Sequence, residues 1–123
     1  MITVEIVERI HEAIIREFGG GSGIRDMAGL QAAIARPYAT FGEIDLYPNG
    51  IEKAAAILES ILINHPFIDG NKRTGYVLMR LILLDDNLDI FVSEDKKYDM
   101  VISVSKGELR FDGIKEWLVN NIK

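Results

Sequence analysis

Apolar residues at Ile6, Val7, Ile10, Ile14 and Phe18 recur at helical spacing, with Glu and Arg on the other face. That pattern predicts an amphipathic helix over residues 3–18. The GGGSG stretch at 19–23 stops it, because consecutive glycines leave the backbone unconstrained. A short helix over 28–36 turns Leu30, Ala33 and Ile34 inward and closes at Pro37. Residues 38–50, YATFGEIDLYPNG, mix β-branched and aromatic residues with two glycines and a YPNG turn, which predicts a loop or small hairpin. The alanine-rich segment 51–64 is strongly helical. Pro66 ends it, since the residue before a proline is pushed out of the helical region.

The next helix is predicted over 71–84. Its VLMRLILL run is apolar almost all round, the mark of the central, buried helix of a bundle. LDIFV at 88–92 fits a short extended connection, and EDKK at 94–97 fits a solvated turn. A helix over 97–106 turns Met100, Val101 and Val104 inward. Asp112 can cap a last helix carrying Ile114, Trp117, Leu118 and Ile122, with Trp117 in the core. Repeats, low-complexity tracts and linkers are absent from the sequence. The expected fold is all-α: one domain over 1–123, a bundle of about six helices with a small flap or hairpin.

Composition narrows the function classes. A chain of 123 residues buries roughly two thirds of its unfolded surface, enough for a core without staples. It has no cysteine, which excludes disulfides and thiolate metal sites and fits a reducing cytoplasm. Lys and Arg total 14 against 19 Asp and Glu, a net charge of −5. Nucleic-acid binders carry a basic surplus, so direct DNA or RNA binding is not expected. The N-terminal MITVEIVERIHE mixes acids among its apolar residues, unlike a signal peptide. No stretch is long enough for a membrane span. A soluble, cytoplasmic protein is expected.

The chemistry gathers in HPFIDGNKRTG, residues 65–75. HPFIDGN forms a loop and NKRTG opens the following helix, whose N-terminus offers unpaired N–H groups and a positive dipole end. Such an end is a natural phosphate seat. Gly70 allows close backbone approach, and Lys72 and Arg73 add cationic donors to a place where cations otherwise oppose the dipole. Asp69 fits that company when Mg²⁺ bridges it to phosphates. His65, with an ordinary pKa of about 6.5, is the group here suited to taking a proton at neutral pH. Together these imply phosphoryl or nucleotidyl transfer from a nucleoside triphosphate. A P-loop is excluded: it needs GxxxxGK, but His65 stands at the first glycine and Asn71 at the lysine. His11 is expected at the surface or boundary, with no role. Arg25 and Asp26 are left between a local ion pair or cap and a functional pair.

HPFIDGNKRTG closely resembles the Fic/Doc signature, HPFx[DE]GNGRxxR, at His65, Pro66, Phe67, Asp69, Gly70, Asn71 and Arg73. GIRD at 23–26, ARPYATFGEIDLYP at 35–48 and the alanine-rich helix before HPF are similar to the death-on-curing branch. Two positions depart from the commoner form: Lys72 replaces a glycine and Tyr76 replaces a second arginine. In Fic enzymes that glycine and arginine help hold the triphosphate for AMP transfer. The NKR spelling is similar to Doc-type toxins, for which the resemblance implies a reversed nucleotide and transfer of the γ-phosphate.

The resemblance implies His65 as the general base toward a Ser, Thr or Tyr hydroxyl and Asp69 as the Mg²⁺ ligand. It places Gly70, Asn71, Lys72 and Arg73 at the phosphates of ATP, and Phe67 as the loop's anchor in the core. Residues 38–50 would be the flap that holds a target segment extended. A Doc-type toxin further implies a separate, Phd-like antitoxin and a translation factor such as elongation factor Tu as target. No Ser or Thr is followed by Glu four residues on, so the inhibitory [ST]xxxE[GN] helix of many Fic proteins is absent. AMP transfer by the same site is the first alternative, and an inactive partner-binding domain the second.

Overall fold

The computed structural model describes residues 1–123, and four short polar side chains open four of its six helices. Thr3 accepts from Ile6 N–H at α1 (Val4–Phe18) and Asp26 from Gly29 N–H at α2 (Met27–Ala35). Asn49 does the same for Glu52 at α3 (Gly50–Asn64), and Ser93 for Lys96 at α5 (Glu94–Ser105). Each satisfies a donor that the helix itself leaves unpaired. Two helices, α4 (Asn71–Asp85) and α6 (Phe111–Asn121), begin without a side-chain cap of their own. At α6 the buried Glu59 of α3 supplies one, accepting from Phe111 N–H at 2.6 Å. No side chain does so at α4.

The all-α expectation of about six helices is met, with a 3₁₀ turn (Arg36–Tyr38) and one antiparallel hairpin, β1 (Thr40–Phe41) and β2 (Ile44–Asp45). The hairpin turns at Gly42, not at YPNG, whose Asn49 instead caps α3.

The central helix is α3, and this corrects the choice made from the VLMRLILL run. Every residue from Ala54 to Leu62 is buried, because alanines at 54–56 let neighbours close in on all sides. In α4, Leu81 and Leu84 stay exposed. Gly75 brings α4 against α3: a Cβ there would stand 2.6 Å from Leu62 Cδ1. One cluster of 21 buried apolar residues draws on every helix and on Phe67 and Ile90. Leu30, Ala33 and Ile34 are buried as expected, as are Met100, Val101 and Val104. Trp117 and Ile122 pack partly buried against the cluster.

Three further expectations change. Ile6 and Phe18 are exposed rather than inward. EDKK is the first turn of α5, where Glu94 and Asp95 complement the dipole and Ser93 caps. Asp112 lies inside α6 and Arg110 holds the cap position. No helix is long and apolar enough to cross a membrane.

LDIFV is extended as expected and pairs with the chain end, Ile90 opposite Ile122. Arg80 of α4 grips Asp89 there through two 2.9 Å bonds. Arg80, helped by the Ile90 N–H, pulls the Asp89 carboxyl down to about 2. A carboxyl lowered by folding stabilises above its ordinary value of 3.8 and loses that contribution as pH falls through about 2. Asp89→Asn should therefore cost about 0.5–1 kcal/mol at neutral pH, the range of a well-formed exposed ion pair. Urea denaturation curves of variant and wild type should converge between pH 3.8 and about 2. A gap that persists at pH 2 would refute the ion-pair origin.

Candidate active site

His65 ends α3 in the left-handed conformation, φ 50° and ψ 55°, sparsely populated for a residue with a side chain. Arg25 holds it there, donating from Nε to His65 O and from Nη2 to Asn64 O, both at 2.8 Å. Of the two undecided residues, then, Arg25 covers the end of α3 and Asp26 caps α2. The motif loop lies along residues 23–26. Ile24 pairs antiparallel with Phe67, Pro66 O accepts from the Arg25 and Asp26 N–H groups, and Ile68 N–H donates to Gly23 O. GGGSG is thus more than a flexible stop. Its end is backbone-paired to the motif.

Phe67 is fully buried, as expected of an anchor. Asn71 locks the loop from within: its Oδ1 accepts from Phe67 N–H and its Nδ2 donates to Phe67 O, both at 3.0 Å. Those bonds leave one amide hydrogen, directed at His65 Nδ1 at 3.1 Å. An amide N–H can only donate, so the neutral ring accepts at Nδ1 and carries its proton on Nε2. The Asn71 side chain is buried and engaged. What it offers an anion is its backbone N–H.

Asp69 is exposed. Its Oδ1 accepts from Gly70 N–H at 2.9 Å and its Oδ2 from Gly21 N–H at 3.3 Å. These donors, Gly70 first, hold the carboxyl below its ordinary range, and Lys72 adds to the effect. Asp69 is therefore ionised at neutral pH with lone pairs left on both oxygens. It does not cap α4. Gly70 takes the cap position at φ 78° and ψ 15°, where a side chain would be strained. The first-turn N–H groups of α4 stay open, and Lys72 and Arg73 stand exposed beside them. The Arg73 guanidinium rests 4.2 Å from the centre of the Phe18 ring, which accounts for an exposed aromatic at the end of α1.

These groups share one cleft of about 680 Å³. His65, the 69–73 segment and Tyr76 of α4 line one side, and Lys97, Tyr98, Val101 and Ile102 of α5 line the other. The second wall escaped sequence analysis, because nothing in the chain before folding says that α5 lies across from α4. No group of three or more His, Asp or Glu could hold a metal unaided. Magnesium delivered on phosphates needs only one or two carboxylates. Asp69 fits that part, whereas Glu94, also on the cleft, is bonded to Lys97 at 3.0 Å.

His11 corrects another expectation. It is 3% exposed, stacked on Phe67 with ring centres 3.8 Å apart, and its Nε2 lies 2.8 Å from Asp69 O. The signal was present: Val7, His11 and Ile14, at i, i+4 and i+7, are the buried stripe of α1.

Gly20 packs against the metal candidate. A Cβ there would stand 2.7 Å from Asp69 Oδ2, at a φ of 114°. Gly20→Ala should cost about 1 kcal/mol through backbone strain and swing Asp69 off the Gly21 N–H. The Gly21 amide cross-peak should move as that bond is lost, and an unmoved peak would separate Gly20 from the Asp69 carboxylate.

Residues 1–83 match the sequence profile of the Fic/DOC family. Toxin Doc of Mycolicibacterium smegmatis is 36% identical over 99 residues, spanning 79% of this chain and 76% of that protein. Protein kinase doc of Escherichia phage P1 is 29% identical over 120 residues, spanning 95% of this chain and 91% of that protein. With HPFIDGNKRTG folded as a buried-Phe loop opening onto an uncapped helix, the chain belongs to the Fic/DOC family, in its death-on-curing branch.

Proposed function

We propose that this protein is a cytoplasmic toxin that transfers the γ-phosphate of ATP to a Ser, Thr or Tyr hydroxyl of a target protein. The observation that carries the proposal is the open N-terminus of α4, the one helix start with no side chain on its first-turn N–H groups. It lies between Lys72, Arg73 and the ionised Asp69, on the cleft that His65 also lines. Open N–H groups and the helix dipole suit the β- and γ-phosphates. Lys72 and Arg73 supply positive charge where it builds up during transfer. Asp69 would hold Mg²⁺, which would supply neutralisation of charge at the phosphates.

His65 takes the hydroxyl proton, the target oxygen bonds to the γ-phosphorus, and ADP leaves with the electrons of the broken P–O bond. The Asn71 contact sets a condition on this step. The neutral ring's lone pair is on Nδ1, engaged by Asn71. The hydroxyl must replace that contact, or the ring must turn about Cβ–Cγ to free it.

Two observations favour kinase over AMP transfer. Lys72 puts a charged side chain where an AMP-transferring site keeps a glycine, and one relative is named as a protein kinase. The exposed hairpin, with Phe41 and Ile44 outward, supports the role of target-holding flap. A separate Phd-like antitoxin and elongation factor Tu as target complete the proposal.

ATP labelled at the γ- or the α-phosphate, incubated with the protein and cell extract, tests it. Label from the γ position should appear on a protein, and growth should halt when the chain is expressed alone. Label from the α position alone would make the enzyme an adenylyltransferase. No label from either would leave a partner-binding domain.

A further inference from the structure

We infer that His11 is a positioning residue of the active site: it fixes the Asp69–Gly70 peptide so that the Asp69 carboxylate and the phosphate seat face the cleft. The inference rests on the proposed roles of Asp69 and of the α4 N-terminus.

A single peptide plane carries the Asp69 carbonyl and the Gly70 N–H. In a trans peptide these point in opposite directions. His11 Nε2 donates to that carbonyl at 2.8 Å from the buried side, so the Gly70 N–H is aimed the other way. There it meets Asp69 Oδ1 at 2.9 Å. The carboxylate is therefore held by an N–H whose direction His11 determines.

The ring that donates is itself fixed. It lies 8° from parallel to Phe67, itself fully buried. Helix α1 packs directly beneath the turn: a Cβ on Gly70 would stand 3.2 Å from Ile15 Cδ1 and 3.5 Å from His11 Nε2.

Without the His11 donor, the Asp69 carbonyl loses its partner and the plane can flip outward. A flipped carbonyl would point its negative end at the phosphate seat, and the carboxylate would lose its N–H. Groups that orient a metal ligand from behind typically change metal affinity about 10–100-fold when removed.

Two variants separate positioning from packing. His11→Phe keeps a flat ring on Phe67 and deletes the donor, whereas His11→Gln keeps a donor and deletes the stack. Two readouts apply: the Gly70 amide cross-peak in nucleotide-free protein, and Mn²⁺ binding in the presence of a non-hydrolysable ATP analogue. His11→Phe should shift the Gly70 peak and weaken Mn²⁺ binding about tenfold or more. His11→Gln should recover most of both despite a similar loss of thermal stability. A Gly70 peak that stays in place in His11→Phe overturns the inference, whatever the nucleotide does. Equal Mn²⁺ losses in both variants, tracking stability alone, also overturn it. If wild type binds no Mn²⁺ with the analogue while the Gly70 peak moves, the proposed nucleotide site fails, and with it the functional part of the inference.

Discussion

His65→Ala should slow phosphate transfer by about 10³-fold, within the range for loss of a positioned general base, while Mg·ATP affinity stays within a few-fold. The separation follows from the geometry. The proposed phosphate seat draws on the α4 backbone, Lys72 and Arg73, with Asp69 as the proposed metal ligand, and no hydrogen bond ties these groups to the imidazole. His65 is exposed at the end of α3, and its backbone carbonyl, which Arg25 holds, survives truncation to alanine. The side chain loses only its contact with Asn71, whose amide stays fixed by two bonds to Phe67. Single-turnover transfer and calorimetric ATP binding, measured on the same preparation, check both halves. Loss of binding in step with loss of rate would assign His65 to the nucleotide seat instead of to proton transfer.

Glu59→Ala should be strongly destabilising for a polar residue, at about 3 kcal/mol. Glu59 is 5% exposed in the middle of α3. Its Oε1 accepts from Arg36 Nη1 at 2.8 Å, and its Oε2 from Arg110 Nε at 3.2 Å and Phe111 N–H at 2.6 Å. Burial pushes this carboxyl up, but those three donors outweigh it and hold it below its ordinary value. The stability it contributes is thus present above the ordinary carboxylate pKa and fades as pH falls through the lowered one. Truncation leaves Arg36 half-buried without its counter-charge and strips α6 of its borrowed cap. Arg36 also donates to Tyr47 OH at 2.9 Å, so the base of the hairpin loosens with it. Glu59→Gln keeps one acceptor oxygen, which can serve the Arg110 and Phe111 donors that share Oε2, and should recover less than half of the loss. Urea midpoints at pH 7 decide. A loss below about 1 kcal/mol would mean the core tolerates Arg36 unpaired.

What the sequence made legible was local. The break at Pro66, the hairpin and the inward faces of α2 and α5 follow from propensity and periodicity over a few residues, whereas the cap chosen at Asp112 falls inside α6 and Thr3, Asn49 and Ser93 take that role elsewhere. HPFIDGNKRTG was legible because adjacent residues carry its chemistry. What stayed hidden was decided between segments. The VLMRLILL run looked more buried than GIEKAAAILESILIN, yet the latter is central: its alanines admit neighbours on all sides, and its Glu59 tolerates burial because two arginines and a backbone N–H from elsewhere satisfy it. His11 looked like a surface residue until Phe67, 56 residues further on, arrived to stack on it. The α5 wall of the cleft is likewise a product of packing. Asn71 shows a subtler limit: its place in the motif suggested a phosphate contact, and only the folded loop turns its side chain inward to Phe67.

The sharpest trial is a titration of the ¹⁵N-labelled protein with Mg·ATP, following the amides of residues 70–73. Saturable shifts should be largest at Asn71, Lys72 and Arg73, with the amides of α6 unmoved. Saturable binding that leaves those three silent, or no binding at millimolar nucleotide, would contradict a triphosphate seat on the uncapped start of this helix.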